Sequence, residues 1–318
     1  MTTVRIFVAS ILALTTTVHA DTFGSGANTF SMTFVPIGDA GNPNDVILPG
    51  NTDAYGGVPY AYRMAVTDVS RTMITLATAN GVPNLGGGGP WSGNQPAAGV
   101  TWYQAAAFVN FLNTSTGHAP AYQLDPANTT LTLWNAGQAW SAGGQNLFRN
   151  KDAFYFLPNE NEWYKAAFYD PNKGGPGVGG YWLYATGSNT VPAAVASGTD
   201  PNTAVYGQPT AQGPAPVDQS GGLSPYGTRG QTGNLYHWLD TEFDGLNDDP
   251  SGFRTVRGGK WNAGAISVES ADRNGNGPAL VTNGIGFRVA SVPEPSCMLL
   301  MASAGIVALC KRRRRAGL

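Results

Sequence analysis

The sequence predicts an α+β domain with many irregular loops. Two segments carry apolar residues at helical spacing, and they stand among short stretches rich in β-branched and aromatic residues. Gly contributes 43 and Pro 22 of the 318 residues, so turns must be frequent. The hydrophobic content of 42% is enough for a core and excludes a chain that is disordered throughout. Isolated helices among many short strands are typical of the α+β class.

The first predicted helix spans residues 102–112. Thr101 precedes it and Gln104 occupies its third position, which is the pattern of a capping box. Apolar residues recur at helical spacing from Trp102 to Leu112, so we expect one face of this helix to be buried.

The second predicted helix spans residues 160–169, with Asn159 as its N-cap. Glu160 and Glu162 lie in its first turn, where the helix dipole favours negative charge. Residues at positions i and i+2 of a helix do not face each other. We therefore expect capping and contact with solvent, rather than catalysis, to explain both carboxylates.

Six further stretches predict strands, and three predict surface loops. The strand-like stretches are residues 29–35, 61–66, 130–134, 153–157, 255–257 and 286–290. The stretches 86–89, 173–180 and 208–222 are rich in Gly, Pro or Ser and predict loops. No linker-like segment or repeat divides the body, so residues 21–291 are expected to form one domain.

Residues 1–20 have the composition of a signal peptide. Arg5 supplies a positive start, an apolar stretch follows, and Val18-His19-Ala20 matches a cleavage site before Asp21. The sequence therefore predicts that the chain passes through the export machinery.

Residues 292–318 form a second distinctive end. Val292-Pro293-Glu294-Pro295 precedes a largely apolar run from Cys297 to Cys310, and Lys311 and four arginines follow. This run is shorter than the roughly 20 residues that span a bilayer, and its basic flank would stay cytoplasmic. The tail resembles the PEP-CTERM sorting tail of bacterial envelope proteins. The resemblance implies transient inner-membrane anchoring, processing by an exosortase, and delivery to the envelope, surface or extracellular matrix; a permanent anchor is the alternative.

Charge and cysteine content exclude several classes of function. Between Asp21 and Ser291 the chain has 12 basic and 19 acidic residues, a net charge of −7, which argues against nucleic acid as a partner. Both cysteines, Cys297 and Cys310, lie in the tail. The body therefore has no disulfide, no Cys–zinc site and no thiol nucleophile.

Two patterns bear on metal binding. The body has two histidines, His118 and His237, which are too few for a three-His site. The acidic segment 240–249 begins like a calcium loop, but position 12 is Ser251 instead of the bidentate Glu. A solvated acidic loop is the better interpretation, and weak Ca²⁺ binding stays open as the alternative.

Five ordered sequence blocks resemble the formylglycine-generating enzyme, or sulfatase-modifying factor, family. Four of them are Y-R-M-A-V-T-D from residue 62, G-V-T-W-Y-Q-A-A from 99, F-L-P-N-E-N-E-W-Y-K-A-A from 156 and G-N-L-Y-H-W from 233. The fifth combines R-G-G-K-W from residue 257, Arg273 and G-F-R from residue 286. The resemblance spans about residues 30–290 and implies a C-type-lectin-like fold with a small twisted antiparallel sheet, two helices and much irregular loop. The motif residues for which we expect a structural role are Trp102, Glu160, Glu162, Trp163, Trp238, Arg257, Gly258, Gly259, Trp261, Arg273, Gly286, Phe287 and Arg288.

The chain departs from this family at the catalytic centre. Active members oxidise a substrate cysteine with a copper ion, which two cysteines hold shortly after the G-G-S-W block. The corresponding segment here, residues 262–270, has no cysteine and includes Ala263 and Ser267 near the positions concerned. A copper–thiolate site needs thiolates, so we expect neither copper nor formylglycine-generating oxidase activity. His237 replaces the acid of the family's G-N-V-W-E-W block, which weighs against its calcium site.

Two functions are compatible with these observations. The first is a non-catalytic module that binds extracellular polysaccharide or an envelope protein. The second is an envelope enzyme of the same fold with cysteine-independent chemistry. The candidate binding residues for either function are Asn234, His237, Asp240, Glu242 and Asp244.

Overall fold

The computed structural model describes residues 19–45, 54–86 and 89–293, and within these ranges it has three α-helices and seventeen strands. The helices are α1 (Arg71–Ala79), α2 (Trp102–Ser115) and α3 (Glu160–Phe168). The strands, in chain order, are β1 (His19–Phe23), β2 (Phe30–Ile37), β3 (Tyr62–Ala65), β4 (Gln123–Leu124), β5 (Leu131–Thr132), β6 (Ala139–Trp140), β7 (Asn146–Asn150), β8 (Tyr155–Phe156), β9 (Tyr169–Asp170), β10 (Gly180–Tyr181), β11 (Ala193–Ala194), β12 (Thr203–Ala204), β13 (Tyr236–Glu242), β14 (Arg254–Arg257), β15 (Asn274–Asn276), β16 (Ile285–Phe287) and β17 (Ala290–Ser291). The predicted α+β class is confirmed.

An antiparallel sheet of five strands, in the order β1-β2-β3-β17-β8, contributes to the main core. Along β2, Phe30, Met32 and Phe34 are buried, while Ser31 and Thr33 between them are exposed. This alternation is expected where one face of an antiparallel sheet covers the core and the other faces solvent.

A second sheet of four strands has the order β15-β14-β13-β16. Its central strand β13 pairs antiparallel with β14 and parallel with β16, so His237 lies between Arg257 and Gly286. The sheet is therefore mixed rather than purely antiparallel. Residues 286–290, predicted as one strand, divide between the two sheets, since β16 belongs to this sheet and β17 to the other.

The starts of α2 and α3 follow from their capping residues. Thr101 Oγ1 accepts the backbone N–H of Gln104 at 3.1 Å, and Gln104 Oε1 accepts the N–H of Thr101 at 2.8 Å, which confirms the predicted capping box. At α3, Asn159 Oδ1 accepts the N–H of Glu162 at 2.8 Å, and Glu162 Oε2 accepts the N–H of Asn159 at 2.6 Å. Both helices thus begin at the predicted residue.

The sequence predicts two helices, and the structure adds a third, α1. Its segment R-T-M-I-T-L-A-T-A contains four β-branched residues, which lower helix propensity. Ser70 nevertheless caps the helix, because its Oγ accepts the N–H of Met73 at 3.3 Å, and Ile74 and Ala77 are buried. Capping and packing outweigh the intrinsic propensity here.

The predicted end segments lie mostly beyond the described residues. The first described residue is His19 and the last is Pro293. Residues 1–18 of the predicted signal peptide and 294–318 of the predicted tail therefore lie outside the described residues. Across the ranges that the structure does describe, none of the helices combines the length and apolarity needed to cross a membrane.

Candidate functional site

A surface cleft of about 630 Å³ is lined by residues 43–45, by the segment around 173–183 and by Asn189. Its aromatic side chains are Tyr181 and Trp182, and its charged side chains are Lys173 and Asp45. Aromatic surface combined with a few polar groups is the usual composition of a small-molecule site.

The cleft owes its shape to the β9–β10 hairpin. Tyr169 pairs with Tyr181 across the hairpin, and the Tyr181 hydroxyl donates to the Pro43 carbonyl at 2.8 Å. Gly179 has a φ of 76°, and a Cβ at this position would lie only 2.1 Å from the Tyr169 hydroxyl oxygen. Glycine is therefore required at this turn, and the hydroxyl of Tyr181 fixes the distance between the two lining segments.

Trp182 and Lys173 form one unit within the cleft. The Lys173 Nζ lies 4.2 Å from the centroid of the Trp182 ring and donates to the Tyr181 carbonyl. The Trp182 indole N–H donates to Asp170 Oδ2 at 3.1 Å, which fixes the ring. A cation held over an indole ring is a favourable contact in partly exposed positions.

Two asparagines supply hydrogen-bonding groups at the edge of the cleft. Asn44 Oδ1 accepts the N–H of Gly57 at 2.7 Å, and Asn189 Oδ1 accepts the N–H of Leu183 at 3.1 Å. These bonds orient both amides, and among the described residues no acceptor pairs with either Nδ2 group. Both Nδ2 donors are thus available to a ligand.

The cleft is joined to the segment 262–270. The N–H of Ser270 donates to the Leu183 carbonyl at 2.9 Å, and the Tyr184 hydroxyl donates to Glu269 Oε1 at 2.9 Å. The segment that follows the R-G-G-K-W motif therefore supports one side of the cleft.

Of the five predicted binding residues, Asn234 and His237 lie in a buried network around Asp68. His237 Nδ1 accepts the indole N–H of Trp163 at 3.0 Å, which leaves the proton on Nε2 to be donated to Asp68 at 2.7 Å. Asn234 Nδ2 donates to Asp68 at 3.4 Å. Burial lowers the pKa of His237 despite the neighbouring carboxylate, so this imidazole is neutral. The other histidine of the body, His118, is exposed and stacks on Phe154.

Asp240 lies in a different buried network. Its Oδ2 accepts from Arg149 Nε at 2.7 Å and from the Tyr122 hydroxyl at 3.3 Å. Arg149 also makes a bidentate pair with Glu162, with both N···O distances 2.9 Å. Burial raises the pKa of Asp240, although Arg149 opposes this shift. Asp240 thus serves the core and does not reach the cleft.

Glu242 and Asp244 organise the acidic segment locally. Glu242 Oε2 accepts the N–H groups of Asp248 and Asp249 at 3.0 and 3.2 Å, and Asp244 Oδ1 accepts the N–H of Leu246 at 2.9 Å. The predicted solvated loop is wrong for Asp240 and Glu242, which are buried in β13, because β13 faces Arg149 on one side and the loop amides on the other. Within the described ranges, no three His, Cys, Asp or Glu side chains converge to hold a metal ion.

The expected solvent contact of Glu160 and Glu162 is also wrong, since both side chains are buried. Glu160 Oε1 accepts from Arg257 Nε at 2.6 Å and from Arg273 Nε at 2.8 Å. Arg257 Nη1 continues to the carbonyl of Ser270 at 2.9 Å. The buried carboxylate thus ties α3 to the end of the segment 262–270.

A protein-family model matches most of the sequence. Residues 62–292 match the sulfatase-modifying factor enzyme 1-like domain, FGE-sulfatase, and this match covers more than two thirds of the sequence. The chain belongs to the FGE-sulfatase family.

Solved structures show the same fold. Treponema denticola variable protein 1 has a TM-score of 0.59 at 20% identity, covering 86% of this chain and 99% of that chain. CarF has a TM-score of 0.56 at 20% identity, covering 82% and 98%. PvdO from Pseudomonas aeruginosa has a TM-score of 0.52 at 17% identity, covering 86% and 98%. The C-type-lectin-like fold inferred from the sequence is thereby confirmed. A search of curated proteins found no match.

The FGE-sulfatase motif residues occupy the interior. Trp102, Trp163, Trp238 and Trp261 are buried, and each indole N–H has an acceptor: the Leu239 carbonyl, His237 Nδ1, the Val100 carbonyl and the Thr210 carbonyl. Phe287 is also buried, and a Cβ on Gly286 would lie 2.8 Å from the Ala97 carbonyl oxygen. The four indole hydrogen bonds satisfy the polar N–H group that each buried tryptophan carries.

The motif arginine Arg288 joins several segments. Its Nη1 donates to the carbonyls of Ala65 and Val66 at 2.7 and 3.0 Å, and its Nη2 donates to Asp68 at 2.8 Å and to the Arg229 carbonyl. The guanidinium therefore connects the end of β3 and the following Asp68 to the loop before β13, which it reaches through the Arg229 carbonyl.

The copper ion of active FGE-sulfatase members does not fit the segment 262–270. Ala263 and Ser267 are half-buried, and Ile266 between them is 76% exposed. The segment presents a methyl, a hydroxyl and an aliphatic side chain, none of which is the soft thiolate that such a copper site requires.

Proposed function

We propose that this FGE-sulfatase domain is a non-catalytic module that binds extracellular glycans in the cleft beside the β9–β10 hairpin. The observation that carries the proposal is the cleft itself, in which Trp182 and Tyr181 lie next to the amides of Asn44 and Asn189. A sugar ring has apolar C–H faces that pack on aromatic rings and hydroxyl groups that accept from amide N–H donors.

The distribution of polar side chains supports binding over catalysis. His237, Asp240 and Glu242 are buried in structural contacts, and Asp244 is on an exposed turn. These four residues do not meet at the cleft, so they do not supply an acid, a base and a nucleophile to one ligand. The segment without cysteines argues in the same direction, because the oxidation carried out by active members runs on a thiolate-bound copper.

The proposal includes export. The signal-like residues 1–20 and the PEP-CTERM-like tail support passage through the export machinery, recognition by an exosortase and delivery to the bacterial envelope or matrix. Expression of the full chain in an exosortase-bearing host, followed by fractionation and N-terminal sequencing, tests this part. We expect a mature start at Asp21 and loss of residues 292–318; retention of the whole chain in the cytoplasm would contradict it.

Glycan binding is tested by affinity electrophoresis of the chain against a panel of extracellular polysaccharides. We expect at least one to retard the wild type, and Trp182→Ala to weaken that binding by about tenfold or more, as for an aromatic residue at the centre of a binding site. Phe253→Ala is the matched control, since Phe253 is an exposed aromatic residue, 59% accessible, outside the cleft. No retardation by any polysaccharide, or equal loss in both variants, would refute the proposal.

A further inference from the structure

The charge on Lys173 is the feature of the cleft that says most about its ligand. Its Nζ is held between the Trp182 ring, at 4.2 Å from the centroid, and the Tyr181 carbonyl. Neither partner is anionic, and among the described carboxylates none lies within ion-pair distance of this ammonium. Lys173 therefore brings a positive charge without a direct ion-pair partner to this aromatic surface, and the nearby Asp170 carboxylate is engaged by the indole N–H of Trp182.

Basic residues are the minority among the charged side chains of the body. The body carries 12 basic residues against 19 acidic ones. At least five of the basic residues are used internally, in ion pairs with carboxylates: Arg63, Arg149, Arg257, Arg273 and Arg288. An acidic protein surface repels polyanions in general. Attraction of an anionic group therefore requires a local positive charge such as that of Lys173.

The other charged lining residue does not cancel Lys173. Asp45 is buried, and its Oδ2 accepts the Tyr164 hydroxyl at 2.8 Å. Its negative charge disfavours an anionic group on its own side of the cleft, while Lys173 favours one beside Trp182. The electrostatic potential is therefore more positive near Lys173 than near Asp45. A sugar unit with one acidic group should bind with that group toward Lys173.

The position of Lys173 also discriminates against neutral sugars. Its ammonium covers one face of the Trp182 ring, so a sugar packs on the remaining aromatic surface of Trp182 and Tyr181 beside the cation. A neutral sugar in that place receives no charge-assisted hydrogen bond from the ammonium. An acidic unit keeps the ammonium in place and adds a hydrogen bond to it.

We infer that the cleft selects acidic saccharides, with Lys173 as the residue that determines specificity. This inference rests on the proposed glycan-binding function. The shared ligand chemistry is a sugar unit that bears an anionic oxygen group, either the carboxylate of a uronic acid or a sulfate ester.

The test compares polymers that differ only in the acidic group. The pairs are polygalacturonate against its fully methyl-esterified form, and dextran sulfate against dextran, each titrated into the full chain by calorimetry. We expect the wild type to bind at least one acidic member about tenfold more tightly than its neutral partner, the range of one charge-assisted hydrogen bond. The pair that shows the difference identifies carboxylate or sulfate as the source.

Variants at position 173 separate specificity from general binding. Lys173→Met should abolish the difference within the pair and Lys173→Arg should retain it, while Lys151→Met, an exposed lysine outside the cleft, should leave it unchanged. Raising NaCl from about 20 to about 300 mM should weaken acidic-polymer binding in the wild type more than in Lys173→Met.

The outcomes distinguish this inference from the function on which it rests. Equal affinity for acidic and neutral partners, with binding still dependent on Trp182, would overturn the acidic specificity and leave glycan binding intact. Preserved preference in Lys173→Met, or equal loss in Lys151→Met, would also overturn the role of Lys173. Absence of any Trp182-dependent glycan binding would refute the proposed function itself.

Discussion

His237 Nε2 lies 2.7 Å from Asp68 Oδ1, although the two residues are 169 positions apart along the chain and both side chains are buried. Burial raises the pKa of the Asp68 carboxyl, but His237 and Arg288 outweigh this effect and hold it below its ordinary value. For His237, burial lowers the pKa of the imidazole by more than the Asp68 carboxylate raises it, so the pKa is lowered overall. The pair therefore consists of a neutral imidazole that donates a hydrogen bond to an ionised carboxylate.

This pair predicts a loss of stability on mild acidification. Below a pH of about 6.5 the unfolded His237 takes up a proton that the folded imidazole resists, so the free energy of unfolding falls as the pH falls. His237→Gln keeps an N–H donor near Asp68 but does not titrate, and should flatten the dependence between about pH 6.5 and 5. Urea unfolding at a series of pH values measures it. His118→Gln, at the exposed histidine, should behave as the wild type; the same slope in all three proteins would contradict the prediction.

Arg288→Ala should destabilise the fold by about 3–5 kcal/mol, because it leaves the buried Asp68 charge without its guanidinium partner. It also removes the hydrogen bonds to the carbonyls of Ala65 and Val66. Chemical denaturation is the measurement, with Lys151→Ala as an exposed basic control. Unchanged stability combined with lost glycan binding would instead assign Arg288 a direct role in a site.

The two carboxylates that face Arg149 should differ in their sensitivity to neutralisation. Burial raises the pKa of Asp240, which means that the folded protein stabilises the charged carboxylate less than water does, so Asp240→Asn removes little net electrostatic stabilisation. Glu162→Gln weakens the bidentate pair with Arg149, at 2.9 Å on both oxygens, and the cap on Asn159. We expect Glu162→Gln to cost at least about 1 kcal/mol more than Asp240→Asn in denaturant unfolding; the reverse order would show that Asp240 carries the essential charge.

Lys165 predicts a second pH dependence, on the alkaline side. Burial lowers its pKa to about 8, and its Nζ donates to the carbonyls of Gly38 and Asp39 at 2.6 and 2.9 Å. Between about pH 8 and about 9.5 the unfolded lysine stays protonated while the folded one loses its proton, so stability rises with pH in this window. Lys165→Met should remove that rise, and Lys151→Met should not. The measurement is the free energy of unfolding of the wild type and of both variants at the two ends of this window. A rise that persists in Lys165→Met would show that Lys165 is not its source.

Gly259→Ala should destabilise the protein by more than about 1 kcal/mol. Gly259 has a φ of 76°, and a Cβ would lie 2.5 Å from the backbone carbonyl oxygen of Ser267. Gly264→Ala is the matched control within the same segment, since Gly264 has a φ of −77° and a Cβ added there would meet no atom within 4 Å. Thermal unfolding of both variants measures the difference; equal melting temperatures would show that the turn adapts without cost.

Local sequence signals predicted the helix starts well. Thr101 and Asn159 bond to amides three residues away, so the relevant information lies within one turn of chain. The ordered motifs likewise indicated the family and fold. Strand β13 was missed, because its acidic residues Asp240 and Glu242 look solvated until Arg149 and the loop amides that bury them are placed.

The cleft could not be predicted from the sequence for a related reason. Residues 173–180 are rich in glycine and indicate a loop, which is correct, but nothing in that pattern marks a binding surface. Lys173 contacts the Trp182 ring across the hairpin, and the distant Pro43 carbonyl, to which Tyr181 donates, sets the distance to the opposite side of the cleft. Only the tertiary structure brings these three segments together.

The segment 262–270 is held at several points, including its central part, where Val268 is buried and Ala265 packs against the same cluster. Gly259 packs on the Ser267 carbonyl, and Arg257 donates to the Ser270 carbonyl, while Ile266 projects into solvent. A side chain added at Gly264 would meet no atom within 4 Å, and Ile266 is 76% exposed, so substitutions at these two positions meet few neighbours. The backbone therefore accepts new side chains at positions 264 and 266 without rearrangement, which makes this segment a starting point for installing new chemistry.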